Sequence, residues 1–288
     1  IGRLSKKEVM NYLKNYYPKL GTIETIRNIN KNNIRGSKFL VKIKNKKYIF
    51  TNYYEDIKPK DMNEIYSIVS YCKENNIRVH EIILNKNKKF VDTKRKCYLL
   101  KYYPGNIFHD SKKEIRDIAK NIALMHKALK QITKKNVRKN STEYKILTLK
   151  ELKSIEINLQ KKKLNSHEII IKNDFNYIKK SIVAHKKNSL LIKKSKMSKQ
   201  IIHNDLHPKN IIMKKEIVNC IIDFNSMRTG IVIEDIALSS FRFACFYPKS
   251  IKQIYQQINY FLKNYNNVNK IKLDMKIYEF FIFDYLLS

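Results

Sequence analysis

The sequence predicts an α+β protein of two lobes, a small antiparallel sheet leading into a mostly helical remainder. Three observations carry that reading. Residues 23–29, 38–43 and 47–54 are rich in β-branched and aromatic side chains and are separated by Asn-rich turns at 30–36 and 45–46, as in an antiparallel meander. Residues 111–130, 233–246, 250–265 and 270–287 space their apolar side chains as helices do. Residues 201–230, IIHNDLHPKNIIMKKEIVNCIIDFNSMRTG, set polar side chains among short apolar runs that read as three buried strands joined by tight turns. At 288 residues the chain can bury a sizeable core, and two lobes of one unit suit it better than two independent domains. The lobes are expected to meet near residue 103, with 1–103 holding a helix, the sheet and a linker strand, and 104–288 the helices, including an inserted helical region at 133–200.

Taken in order, Ser5 opens a helix over 5–17: Glu8 completes a capping box, and Val9, Tyr12, Leu13 and Tyr16 share one face. The turn Asn32-Asn33-Ile34-Arg35-Gly36-Ser37 offers backbone amides and the Ser37 hydroxyl to an anion, or is an ordinary hairpin turn. A helix over 61–75 and a turn at 76–79 follow the third strand. CYLLKYY is an apolar strand stopped by Pro104-Gly105. The helix over 111–130 lines up Ile115, Ile118, Ala119, Ile122, Met125 and Leu129, and His126 beside that stripe reads as a packed core residue rather than a catalyst. Residues 133–200 turn lysine-rich, yet 147–159 and 175–192 stay amphipathic. The last helix stops without a cap and the first residue is Ile1 rather than Met, so the chain reads as a fragment or processed form, short of a C-terminal element.

Residues 201–230 hold the chemistry. His203, Asp205, Asn210 and Asp223 fall at strand ends and in a tight loop, where a rigid scaffold can aim them. The spacing suits phosphoryl transfer. A loop Asp can accept or orient the proton of a hydroxyl, an Asn shortly after it can ligate Mg²⁺ through its amide oxygen, and an Asp opening a later turn can ligate Mg²⁺ as a carboxylate. Those residues are Asp205, Asn210 and Asp223. A sparse oxygen set is normal for Mg²⁺, since phosphates and water complete its shell.

HNDLHPKN followed by IIDFN resembles the catalytic and metal-binding motifs of the aminoglycoside phosphotransferase and choline kinase family, small-molecule kinases with a protein-kinase-like fold. The two motifs at this separation are far more specific than either alone. The resemblance implies a catalytic loop at 201–213 and a metal-binding turn at 221–226, with ATP and Mg²⁺ as cofactors and a small-molecule hydroxyl as acceptor. It implies Asp205 as catalytic base, Asn210 and Asp223 as Mg²⁺ ligands, His203 as a support of the loop, and Asp235, in EDIA, as a brace behind it. Lys209 is a candidate contact to the transferring phosphoryl group, against the plain reading of a solvent lysine. Leu100, Lys101 and Tyr102 would present their main chain to adenine, and Ser37 and Thr51 would lie with the nucleotide.

Departures from the pattern are informative. Asn204 stands where protein kinases carry Arg, and no Ala-Pro-Glu is present, which disfavours a protein substrate. Thr51, in KKYIFTNYY, stands where a kinase strand carries its ATP-contacting Lys, and Glu64 is therefore a helix carboxylate without that partner. Thr at this place, Asp61-Met62, the helix over 61–75 and the turn at 76–79 together look like the homoserine kinases of this family. Homoserine or a related amino alcohol is the acceptor this implies, with choline, sugars and aminoglycosides as alternatives. Residues 133–200 hold no acidic cluster for a polycationic aminoglycoside.

The formal charge of +35 is spread over almost every segment alongside abundant Asn and Ile, residues with A/T-rich codons. It reads as a solvated lysine-rich surface rather than a nucleic-acid site. Five glycines, Gly2, Gly21, Gly36, Gly105 and Gly230, permit neither GxGxxG nor GxxxxGK[ST]. Cys72, Cys97, Cys220 and Cys245 lie far apart in apolar surroundings and read as reduced core residues of a cytoplasmic protein. No apolar run approaches the roughly 20 residues of a membrane span, and no signal peptide is visible. Oligomeric state is not legible. Two rival readings have a motive: a Zn²⁺ hydrolase built on His203, Asp205 and His207, which leaves Asn210 and Asp223 unexplained, and a non-catalytic nucleotide-binding pseudokinase, suggested by Thr51 and the missing glycine loop.

Overall fold

The structure, a computed structural model, describes residues 4–30, 36–53, 59–132, 148–160, 163–194 and 197–286. Helix α1 (Lys6–Tyr16) opens on the expected capping box, with Glu8 N donating to Ser5 Oγ at 3.2 Å and Ser5 N to Glu8 Oε2 at 2.7 Å. These bonds satisfy two of the amides a helix start leaves unpaired. Strands β1 (Ile23–Asn28), β2 (Gly36–Ile43), β3 (Lys46–Tyr53), β4 (Ile82–Ile83) and β5 (Cys97–Lys101) form one antiparallel sheet in the order β1-β2-β3-β5-β4. Strand β4, two residues long, is too short for periodicity to reveal.

Alternation gives the sheet two unlike faces. Phe39, Val41, Ile43, Phe50, Cys97 and Leu99 pack beneath α1 in a core of their own. The opposite face carries Lys38 and Leu40 from β2, Ile49 and Thr51 from β3, and Tyr98 and Leu100 from β5; Tyr98 joins the main core of the chain and Leu100 packs against it. Helix α2 (Pro59–Glu74) buries Met62, Ile65, Tyr66 and Val69 in the same main core.

The rest of the chain is chiefly helical: α3 (Lys112–Lys130), α4 (Leu149–Asn158), α5 (Ser166–Lys194), α6 (Val232–Ala244), α7 (Ile251–Asn266) and α8 (Met275–Leu286). Helix α3 has a second capping box, from Ser111 and Glu114. Helix α5 begins earlier than the apolar spacing suggested, and it packs on α4 through a small separate core of Leu152, Leu159, Phe175 and Ile182. The expected start of the insertion, 133–147, lies outside the described residues. Two two-stranded sheets interrupt the helices. Strand β6 (Lys199–Ile202) pairs with β9 (Arg228–Ile231), and β7 (Ile211–Lys214) with β8 (Ile217–Ile221).

Gly105 lets the segment after β5 touch the β7–β8 hairpin: a Cβ there would collide with the Met213 carbonyl and the Ile212 side chain, beside the Asn106–Met213 bridge. Among the described residues no helix is long and apolar enough to cross a membrane. The reading of four core cysteines needs one correction. Cys72, Cys97 and Cys220 are buried, but Cys245 is exposed because it caps the C-terminus of α6, where the chain turns outward.

Candidate active site

Strand β6 delivers His203, Asn204 and Asp205 to the junction of the two small sheets, and a one-turn 3-10 helix (Pro208–Asn210) returns the chain to β7. Asp235, on the first turn of α6, holds the loop from behind. It is 1 % exposed and accepts from His203 N (2.9 Å), Asn204 N (2.9 Å) and the His126 ring (Nε2, 3.0 Å), whose Nδ1 meets the Tyr265 hydroxyl at 2.9 Å. Burial would raise the Asp235 carboxyl, but His126, His203 and the loop amide outweigh it and hold the group below its ordinary range. His126 is therefore the bonded core residue its place on α3 suggested.

His203 is fully buried, with Nε2 3.1 Å from the Ile222 carbonyl and Nδ1 3.2 Å from the amide of Asp205. An amide can only donate and a carbonyl only accept, so the ring carries one proton, on Nε2, and is neutral. Burial pushes its pKa down against the pull of Asp235. With both nitrogens engaged, His203 has no lone pair for a metal, which removes the Zn²⁺ hydrolase reading. No group of three or more His, Cys, Asp or Glu converges as a metal site among the described residues.

Asp205 lies at the mouth of the loop, its side chain 32 % exposed. Oδ1 accepts from Arg242 Nη1 at 3.0 Å, and Oδ2 from Asn210 Nδ2 at 3.2 Å, with His207 Nε2 3.6 Å away. Burial works to raise this carboxyl, but His207 and Arg242 hold it below the usual range, so it is ionised at neutral pH. Asn210 Nδ2 also donates to the Asp205 carbonyl at 2.9 Å, which orients the side-chain amide and leaves Oδ1 as its outward acceptor. Asp223 follows β8 in a left-handed conformation (φ 64°, ψ 62°), and its carboxylate has no hydrogen-bond or ion-pair partner among the described residues. Asn204 is left-handed too (φ 65°). Asn and Asp tolerate that region better than other side chains, so the residue types match the backbone. The donor set, one amide oxygen and one carboxylate held on rigid turns, fits a Mg²⁺ that keeps water and phosphate ligands.

An aromatic stack ties this loop to the sheet. His203 packs on Phe224 (4.5 Å between centroids), Phe224 on His80 (5.3 Å), His80 on Tyr66 (5.7 Å) and Tyr66 on Tyr98 (5.1 Å). The Tyr66 hydroxyl reaches Asn225 Oδ1 at 3.4 Å, two residues past Asp223. Backbone bonds from His80 N to Ile221 O (3.1 Å) and from Ile221 N to Arg78 O (2.7 Å) join the same regions. Neither His80 nor Arg242 carries a motif, and only packing reveals them.

The nucleotide side departs from expectation. Ser37 alternates with Lys38 and sits opposite Asn52, on the α1 side of the sheet, so its side chain is placed away from the face that bears Thr51. The turn residues 32–35 lie outside the described residues. The amides of Lys101 and Tyr102 already donate to Glu81 O (2.9 Å) and Lys47 O (3.0 Å), which removes them as adenine donors and leaves their carbonyls. Leu100 does lie on the Thr51 face. Lys209 is exposed, with no side-chain partner among the described residues, and Glu64 forms no ion pair there.

The profile of the phosphotransferase enzyme family matches residues 26–260. No curated protein sequence matches the chain. Among solved structures, spectinomycin phosphotransferase APH(9)-Ia in complex with ADP and spectinomycin superposes with a TM-score of 0.72 at 15 % identity, covering 99 % of this chain and 86 % of that one. Amicoumacin kinase in complex with AMP-PNP, Ca²⁺ and Ami gives 0.62 at 15 % identity, covering 99 % and 85 %. The choline kinase of Streptococcus pneumoniae gives 0.60 at 14 % identity, covering 96 % and 84 %. With the family profile spanning both the sheet and the loop that holds Asp205, Asn210 and Asp223, the chain belongs to the phosphotransferase enzyme family and has its two-lobed, protein-kinase-like fold.

Proposed function

We propose that the chain transfers the γ-phosphoryl group of ATP to a hydroxyl of a small metabolite, with homoserine or a related amino alcohol as the acceptor. The observation that carries this is the loop itself: an ionised Asp205, fixed by Asn210 and Arg242, stands beside two oxygen donors free to take a metal. Asp205 orients the acceptor hydroxyl and takes its proton as the new O–P bond forms. Its depressed pKa makes it a weak base, which suits a dissociative transfer in which the proton moves late. Asn210 Oδ1 and the Asp223 carboxylate would hold Mg²⁺, which when bound neutralises charge on the β- and γ-phosphates. Spectinomycin phosphotransferase binds ADP and amicoumacin kinase binds AMP-PNP with Ca²⁺; both support a nucleotide here, and the second a divalent cation. Such an enzyme works where ATP is made, in the cytoplasm.

Arg242 supports the choice of acceptor. Its guanidinium is stacked 4.7 Å from the centroid of Tyr285 on α8 and placed against Asp205, so the group beside the base is positive. A carboxylate on the acceptor is attracted there, and a quaternary ammonium or polyamine is repelled. The test is Mg²⁺-dependent ADP release against a panel of small alcohols, with Asp205→Asn beside the wild-type chain. One acceptor stimulating only the wild type identifies the substrate. ATP binding without stimulation by any acceptor would favour the pseudokinase reading instead.

A further inference from the structure

The expected strand lysine is absent, and the structure shows what stands around the gap. Thr51 on β3 lies directly opposite Lys38 on β2 and Tyr98 on β5, so the three side chains form one row across the inter-lobe face of the sheet. Opposed residues of antiparallel strands have their Cβ atoms about 5 Å apart, well within the reach of a lysine. The Thr51 residue is 3 % exposed and its hydroxyl makes no well-formed hydrogen bond, although it lies near enough to the Tyr98 hydroxyl to influence it. Tyr98 in turn feels the Asp223 carboxylate. The row therefore runs from Lys38 toward the candidate metal ligand.

Two further facts single out Lys38. Lys42, on the same face of β2, is paired with Glu24 at 2.6 Å, whereas Lys38 is exposed and has no ion-pair or hydrogen-bond partner among the described residues. Its ammonium is also close enough to the buried His80, in the aromatic stack under the catalytic loop, to disfavour protonation of that ring. Behind the row, where a kinase pairs its lysine with a helix glutamate, this chain has the neutral hydroxyls of Tyr66 and Tyr98 and the amide of Asn225. Nothing in that cluster can offset phosphate charge.

We propose that Lys38 supplies the positive charge to the ATP phosphates from β2, with the buried Thr51 hydroxyl as a second donor, in place of a lysine on β3. This rests on the kinase reading. Charge attraction is set by distance rather than by which strand bears the side chain, and from the adjacent position the ammonium reaches the same space.

The experiment compares ATP and adenosine binding to the full chain for wild type, Lys38→Met, Lys38→Arg and the double variant Lys38→Met/Thr51→Lys. Lys38→Met should weaken ATP binding by about 10- to 100-fold and leave adenosine, which has no phosphate, unchanged. Lys38→Arg should keep most of the affinity, and the double variant should regain part of it. ATP binding to Lys38→Met within about threefold of wild type would overturn the proposal, as would an equal loss for adenosine, which would mark a structural effect. A wild-type chain that binds neither compound would instead overturn the kinase reading and this inference with it.

Discussion

The two halves of the site are built by different rules. Around Asp205 the polar residues of the loop are interlocked: Asp235 binds two loop amides and His126, Asn210 binds Asp205 twice, and Arg242 closes the other side. On the sheet, Thr51 replaces the lysine, Ser37 turns the wrong way, and two linker amides are occupied. Under the proposed function the difference follows from what each half would have to do. In-line transfer needs a carboxylate and metal ligands placed to a fraction of an ångström, so their positions tolerate little change. Holding a polyanion needs positive charge within a few ångströms, which neighbouring strands can supply equally well.

If that contrast is right, Asp205→Asn should show the largest effect. The expected loss in kcat is roughly 10²–10⁴-fold, with ATP affinity nearly unchanged, the reverse of the pattern expected for Lys38→Met. Steady-state kinetics beside nucleotide titration decides it, and equal losses in both quantities would erase the distinction. Asp235→Ala should act on folding. It removes a buried carboxylate and strands three donors, so about 3–5 kcal/mol of stability should disappear in a denaturant titration, whereas Thr51→Ala should cost far less.

A smaller effect is expected from Arg242→Ala. It should raise the KM of a carboxylate-bearing acceptor by roughly tenfold, while the KM for ATP stays put. Improved turnover of cationic alcohols in the same variant would sharpen the assignment, and an unaltered acceptor profile would remove Arg242 from recognition.

A further effect concerns the pH dependence of stability. Burial pushes the His80 pKa from 6.5 down to about 3, with Lys38 adding to it. The folded-state pKa is the lower one, so the unfolded chain binds the proton first, and stability present above pH 6.5 is lost as pH falls toward 3. Between pH 7 and 5 His80 should cost roughly 2 kcal/mol, and His80→Leu should flatten that part of the curve. An unchanged slope of stability against pH would show that His80 is not the group responsible.

How much of this was legible depended on distance along the chain. The capping box at Ser5, the meander and the loop residues from His203 to Asp223 all rest on neighbours within a few positions or on one strand's alternation. Arg242 and Asp205 are 37 positions apart, and His80 meets Phe224 only because the 78–80 segment docks on β8. No local pattern encodes such contacts. Ser37 shows where the limit fell. Its alternation with Lys38 was visible, but which face of the sheet α1 would cover was not.

The sequence by itself determined four of the five strands of the sheet, most of the helices, the polar residues of the loop and the family to which the chain belongs, because periodicity, capping and motif spacing are local properties of a chain. The tertiary structure alone decided which sheet face looks toward the 203–210 loop, that Arg242 sits on Asp205, and that Lys38 stands opposite Thr51. Those outcomes depend on how amphipathic faces choose their partners, a choice made by the burial of the whole core rather than by any one segment of it.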